Sequence, residues 1–258
     1  MSFGGFGGGS MHGGGGGFPG MNHFQRPMNW SALGKFDNLT PQVARHLQKV
    51  YATLSGGILA ATLGAFVHYK FHVAGMMTQL ALFACIIGLM FVKDMLNRLA
   101  VFHAAGLLMG INLGPLLAQV AFNRPDLIIT ALTGTTMIFV SFSAAALVAK
   151  RRHFLYLGGV LGSAISILFS LRMLNFFMGG TLSAGLFAVE LYGGLAMFMG
   201  YIIFDTQMII EDAHSGRKDF VAHALELLID FVGVFVRLLI ILQRNAQKKS
   251  EGDRRRRQ

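Results

Sequence analysis

Charge is scarce in this chain. Asp, Glu, Lys and Arg make up 13% of its 258 residues, against roughly 25% in a soluble globular domain. Hydrophobic residues reach 53% and the mean hydropathy is +0.55. Together these values exclude an ordinary water-soluble fold. Cysteine is nearly absent. Cys85 stands alone, so an intrachain disulfide and a cysteine metal cluster are both excluded. The glycine-rich start, MSFGGFGGGSMHGGGGGFPG, lacks a preceding strand and a following GK[ST], so it is no phosphate loop. It also lacks a basic segment followed by an apolar one, which argues against a cleaved signal peptide. The net charge is +10, but no nucleic-acid-binding motif accompanies it, so no nucleic-acid partner is expected.

What the sequence does have is apolar runs of membrane-spanning length. They cover roughly 50–69, 72–92, 99–122, 127–149, 154–171, 184–210 and 221–243, the last interrupted by charge. Polar backbone in lipid must be satisfied internally, so such runs are helices. The expected fold is all-α: a polytopic membrane protein of seven helices. Residues 1–28 read as a disordered Gly-rich leader, because glycine loses the most backbone entropy on ordering. Residues 29–243 form the transmembrane domain. Residues 244–258 form a basic tail of cytosolic type, attracted to anionic headgroups or simply solvated. Small residues in SGGILAATLGA and GGVLGSAIS either permit close helix approach or are ordinary membrane-helix composition.

Basic residues set the orientation. Lys35, Arg45, Lys49, Lys93, Arg98, Lys150, Arg151, Arg152, Arg217 and Lys218 fall on one side. Lys70, Arg124 and Arg172 fall on the other. This places the N-terminus in the cytosol. Seven full crossings would then leave the basic tail, with Lys248, Lys249 and Arg254 to Arg257, on the far side. Either the tail is an exception or the seventh segment does not cross as an ordinary helix.

That segment, VAHALELLIDFVGVFVRLLIILQR, carries His223, Glu226, Asp230 and Arg237. At about 100° per residue the four fall within about 60° of one another. A central ion costs roughly 2.5–3.5 kcal/mol on insertion scales, so the stripe faces protein or water. The seventh helix is therefore expected in the centre, wrapped by the other six. Asp205 lies about 8 Å from the end of the sixth run and Asp230 about 13 Å into the seventh. Both fall in the same half of the membrane. If they meet, like charges in low dielectric share a proton and titrate as a pair, which makes a pH sensor. Deprotonated, the pair is also a candidate Ca²⁺ site of oxygen ligands. The competing reading for either acid alone is a hydrogen bond to a neighbouring helix. Glu226 and Arg237 read as supporting partners or snorkelling ends. His223 and Glu190 read as interfacial, and Trp30, Tyr192 and Tyr201 as packing or belt aromatics.

GYIIFDTQMIIEDAHSGRKDF followed by LLIDFVGVFVRLLIIL resembles the transmembrane Bax inhibitor motif family. The likeness continues in LTPQVARHLQKVYATL, INLGPLL and ALTGTTMIFVSFSAAALVAKRRHFLYLGG, and covers nearly all of residues 29–258. The resemblance implies a seven-helix fold with the last helix central, in the endoplasmic reticulum membrane. It implies a proton-sensitive Ca²⁺ leak and suppression of Bax-type cell death. It maps the paired carboxylate sensor onto Asp205 and Asp230, and a basic latch on one of those acids onto Lys93 or Arg98. Membrane lipids, calcium and Bcl-2-type cell-death regulators are the expected partners. No cofactor and no enzymatic activity are expected. Two alternatives stay open. One is a non-conducting membrane regulator that binds cell-death or channel partners. The other is an intramembrane aspartyl protease, which two membrane aspartates would allow, although LLIDFVG lacks the GxGD element and IIFDTQM the Tyr-Asp pair.

Overall fold

The computed structural model describes residues 40–149, 154–178 and 184–256. The readings made for the leader 1–28, Trp30, Lys35, the loop Lys150 to Arg152 and Arg257 lie outside these residues. Seven helices follow in order: α1 Pro41–Phe71, α2 Met76–Phe91, α3 Met95–Asn123, α4 Asp126–Val148, α5 Leu157–Phe177, α6 Ala184–His214 and α7 Phe220–Arg256.

Local chemistry sets several of the ends. Thr40 caps α1 by accepting from the Val43 N–H at 3.4 Å, and Pro41 enters at the first helical position with its φ already fixed. This cap starts α1 nine residues before the apolar run expected from hydropathy. At the other end His72 adopts φ 53°, and the ring of His68 accepts from the Ala74 N–H at 3.0 Å. Asp94 caps α3 through the Asn97 N–H at 3.1 Å, and Asp219 caps α7 through the Ala222 N–H at 3.1 Å.

Five helices, α1 and α3 to α6, are long and apolar enough to cross a membrane. The short α2 is apolar but only 16 residues long. Large side chains such as Leu63, Phe66, Ile129, Met137, Ile165 and Phe169 stand outward and exposed. An outer surface of that kind suits lipid rather than water, and the molecule is a polytopic membrane helical bundle.

The small-residue expectation divides. Helices α1 and α3 touch backbone to backbone. A Cβ built at Gly64 would lie 1.9 Å from the Leu107 carbonyl oxygen, and one at Gly110 would lie 1.8 Å from that of Ala61. Only hydrogen fits there. In α5, a Cβ at Gly158 would lie 2.9 Å from the Phe204 ring, whereas Gly159 and Gly162 meet nothing within 4 Å.

Helix α7 buries more side chains than any other, among them Leu227, Leu228, Val234 and Leu239, each 0% exposed. It packs against α6, α1, α4 and α3. The expectation that all six helices wrap it needs correction. Helix α2 packs on α3 and α5 on α6, because α2 has only Leu82 and Leu89 to bury and α5 only Leu161. A second correction concerns the tail. No break falls at residue 243, and α7 runs on to Arg256. Its 37 residues span about 55 Å, well beyond a hydrocarbon core of about 30 Å. Gln243, Ala246, Gln247 and Ser250 line a cavity together with Asn123 and Arg124 of the α3–α4 turn. The start of α7 lies instead beside the start of α1. The helix therefore traverses the bundle, and the basic segment ends on the face opposite the start of α1.

Candidate functional site

Asp205 sits in α6 and Asp230 in α7. They lie about 14 Å and 15 Å along the axis from the α6–α7 connection, so the two antiparallel helices carry them at one level. Their carboxyl groups lie close enough to interact with each other. A bond between two carboxyls needs a proton on one of them, because an ionised carboxylate only accepts. Asp230 is 3% exposed and Asp205 half-buried. The second oxygen of Asp230, Oδ2, has no hydrogen-bond partner among the described residues. No Lys, Arg or His among the described residues forms an ion pair with either acid. Tyr201, one turn before Asp205, has its ring near those of Phe198 and Phe204. Glu226, one turn before Asp230, completes a line of acids toward the α6–α7 connection.

Two carboxyls at such range oppose ionisation of both by like-charge repulsion. Ca²⁺ takes six to eight oxygens, and among the described residues no group of three or more His, Cys, Asp or Glu is placed to hold a metal ion.

The basic latch falls elsewhere. Arg98 Nη2 donates to Asp219 Oδ2 at 2.5 Å. It thus holds the start of α3 to the carboxylate that caps α7, and touches neither acid of the pair. Lys93 is exposed in the α2–α3 link. Both residues project from the rim, and the pair lies some three turns deeper.

The α7 stripe separates by depth. His223 is buried, 6% exposed, rather than interfacial. Its Nδ1 lies 3.1 Å from Nε2 of His46, and its Nε2 lies 3.5 Å from Asp212 Oδ2. Asp212 is also paired with Arg217. Glu226 is exposed. Arg237 lies deeper, over the Phe198 ring at 4.4 Å, with Nη1 donating to the Gly233 carbonyl at 3.1 Å. A Cβ at Gly194 would lie 2.3 Å from its Nε, so glycine makes the notch that this side chain fills. Glu190 is ion-paired with Arg172.

Several polar residues around the pair were not legible beforehand. The hydroxyls of Tyr51 in α1, Ser143 in α4 and Thr206 in α6 are buried near one another, with no hydrogen-bond partner among the described residues. Gln207 is 3% exposed and donates to the Ala146 carbonyl at 2.5 Å. Thr206 and Gln207 belong to the FDTQ element and so carried a signal. His46 and Tyr51 lie in LTPQVARHLQKVYATL and so belong to the resemblance, but nothing in the sequence pointed to their contacts.

A family model described as "Inhibitor of apoptosis-promoting Bax1" matches residues 43–247. Bax inhibitor 1 of Arabidopsis thaliana is 40% identical over 226 residues, covering 87% of this chain and 91% of that protein. Bax inhibitor 1 of Rattus norvegicus is 40% identical over 237 residues, covering 90% and 99%. That of Homo sapiens is 39% identical over the same length, with the same coverage.

Proposed function

The chain belongs to the Bax inhibitor 1 family of apoptosis inhibitors, and from that premise we propose that it is a pH-sensitive calcium leak of the endoplasmic reticulum membrane that restrains Bax-type cell death. One observation supports the reading: Asp205 and Asp230 lie at one level of neighbouring helices, within interaction range, and a hydrogen bond between two carboxyls would need a shared proton. While the proton is in place, α6 and α7 are joined at this level. Its loss leaves two like charges, which at about 4 Å would repel by about 4 kcal/mol at an effective dielectric constant of 20. A cation can then take the proton's place, with Ca²⁺ as cargo rather than resident ligand. Glu226, on the same stripe and exposed, leads from the α6–α7 connection toward the pair.

The basic residues at the starts of α1, α3 and α7 support a cytosolic N-terminus. A continuous α7 then carries its basic end to the lumenal side. No catalytic role is assigned to the pair. Purified protein in liposomes is expected to pass Ca²⁺ at a rate that changes with pH, and Asp205→Asn or Asp230→Asn is expected to abolish that change. An identical pH dependence in wild type and both variants removes the sensor. If no variant, wild type included, passes Ca²⁺, the protein is a non-conducting regulator.

A further inference from the structure

We propose that a cavity between the starts of α1 and α7 is a binding site for a lipid headgroup that carries a phosphomonoester, drawn from the leaflet on the N-terminal side of the bundle. The cavity, about 520 Å³, is lined by Arg45, Lys49 and Gln42 from α1, by Lys218 and Phe220 from the α6–α7 connection, and by Met95. The imidazole of His46, 4% exposed, forms its floor. Three cations thus converge from segments more than 160 residues apart in the chain. Among the described residues none of the three forms an ion pair. Their side chains are instead held by weak partners. Lys218 Nζ donates to Gln42 Oε1 at 3.3 Å, Arg45 Nε donates to the Pro41 carbonyl at 3.3 Å, and Lys49 Nζ lies 6.0 Å from the Phe220 ring centroid.

The nearest candidate counter-charge is already engaged. Asp219, next to Lys218, caps α7 and accepts from Arg98. Asp212 is taken by Arg217 and His223. A recess with three unneutralised cations and no carboxylate in its wall is complementary to an anion of more than one charge. Arg and Lys together suit phosphate oxygens, the first as a planar fork and the second as a point charge.

Position selects a lipid as the source. The cations lie on the first turns of α1 and in the link to α7, where the bundle leaves the hydrocarbon. Met95 and Phe220 give the cavity apolar walls along which acyl chains can continue. A phosphomonoester adds charge beyond that of a single phosphodiester, which matches three cations better than a singly charged phospholipid does. The site does not depend on calcium passage. It is also separate from the basic end of α7, which lies on the opposite face.

The test uses the full chain in phosphatidylcholine nanodiscs, titrated with a short-chain phosphatidylinositol phosphate, with bound lipid counted by native mass spectrometry. Parallel titrations use phosphatidylserine at matched charge and the soluble inositol phosphate headgroup. Wild type is expected to bind one phosphoinositide per chain. Affinity should fall about tenfold or more in the triple variant R45Q/K49Q/K218Q, because charge-assisted hydrogen bonds are lost. The exposed single variant Lys218→Gln should show a smaller loss, and it keeps the test open if the triple variant does not fold. Removal of residues 244–258 should leave binding unchanged. The proposal is overturned if Lys218→Gln and the triple variant both bind as wild type does. It is equally overturned if phosphatidylserine binds as tightly, if removing 244–258 abolishes binding, or if the soluble headgroup binds as well as the lipid.

Discussion

Substituting Gly110 tests the packing that positions everything else. Helices α1 and α3 meet with a glycine on each side, and a Cβ at residue 110 would lie 1.8 Å from the Ala61 carbonyl oxygen. The obstructing atom is backbone, so no rotamer change relieves the clash. To restore a contact of about 3.3 Å, the two helices must part by roughly 1.5 Å along this line. A gap of 0.5–1 Å already forfeits about a quarter to a half of each dispersion contact. Overpacking of this kind costs about 1–3 kcal/mol, offset by less than 1 kcal/mol of helix propensity gained from alanine. Gly159→Ala is the matched control. Its Cβ meets nothing within 4 Å, so only the propensity gain remains. Cys85 provides the assay, because it is the sole thiol, is half-buried and lies in α2, which packs on α3. Thermal unfolding followed by a thiol-reactive dye should show Gly110→Ala melting well below wild type and Gly159→Ala at or slightly above it. Equal melting of the two variants would refute the close approach of α1 to α3.

Other consequences are simpler. Asp219→Ala removes both the α7 cap and the partner of Arg98. It should cost about 1–2 kcal/mol, and Arg98→Gln less, since Asp219 is 40% exposed. Gln207→Leu removes the donor to the buried Ala146 carbonyl and should cost about 1–3 kcal/mol in the same melt. The bond between His46 and His223 needs one nitrogen that accepts, so protonation of both rings destroys it. Wild type should therefore lose more thermal stability between about pH 7.5 and pH 5.5 than His46→Gln does. An equal loss in both would remove the His pair from the acid response.

The helices and the acid pair were legible for different reasons. Apolar length located the helices, because an unbroken apolar run of about twenty residues satisfies its own backbone in lipid only by coiling into a helix. That Asp205 and Asp230 lie at one level followed from depth, once α6 and α7 were taken as antiparallel neighbours. Hydropathy was blind where helices leave the membrane. Residues 41–49 and 244–256 are helical but polar, and only Thr40 and Pro41 signalled the earlier start of α1. Contacts between distant segments left no trace in the sequence. His46 meets His223 across 177 positions, and Arg98 meets Asp219 across 121. The chosen latch residue thus found a different acid, because Asp219 at the rim was nearer than the pair below it.

Infrared titration of the protonated-carboxyl band probes the shared proton most directly. In wild type the band should fall in two steps that belong to the pair. Either single variant, Asp205→Asn or Asp230→Asn, should collapse this to one step at a shifted pH, and the double variant should remove it. If each remaining acid instead keeps its wild-type step unchanged, Asp205 and Asp230 titrate independently and share nothing.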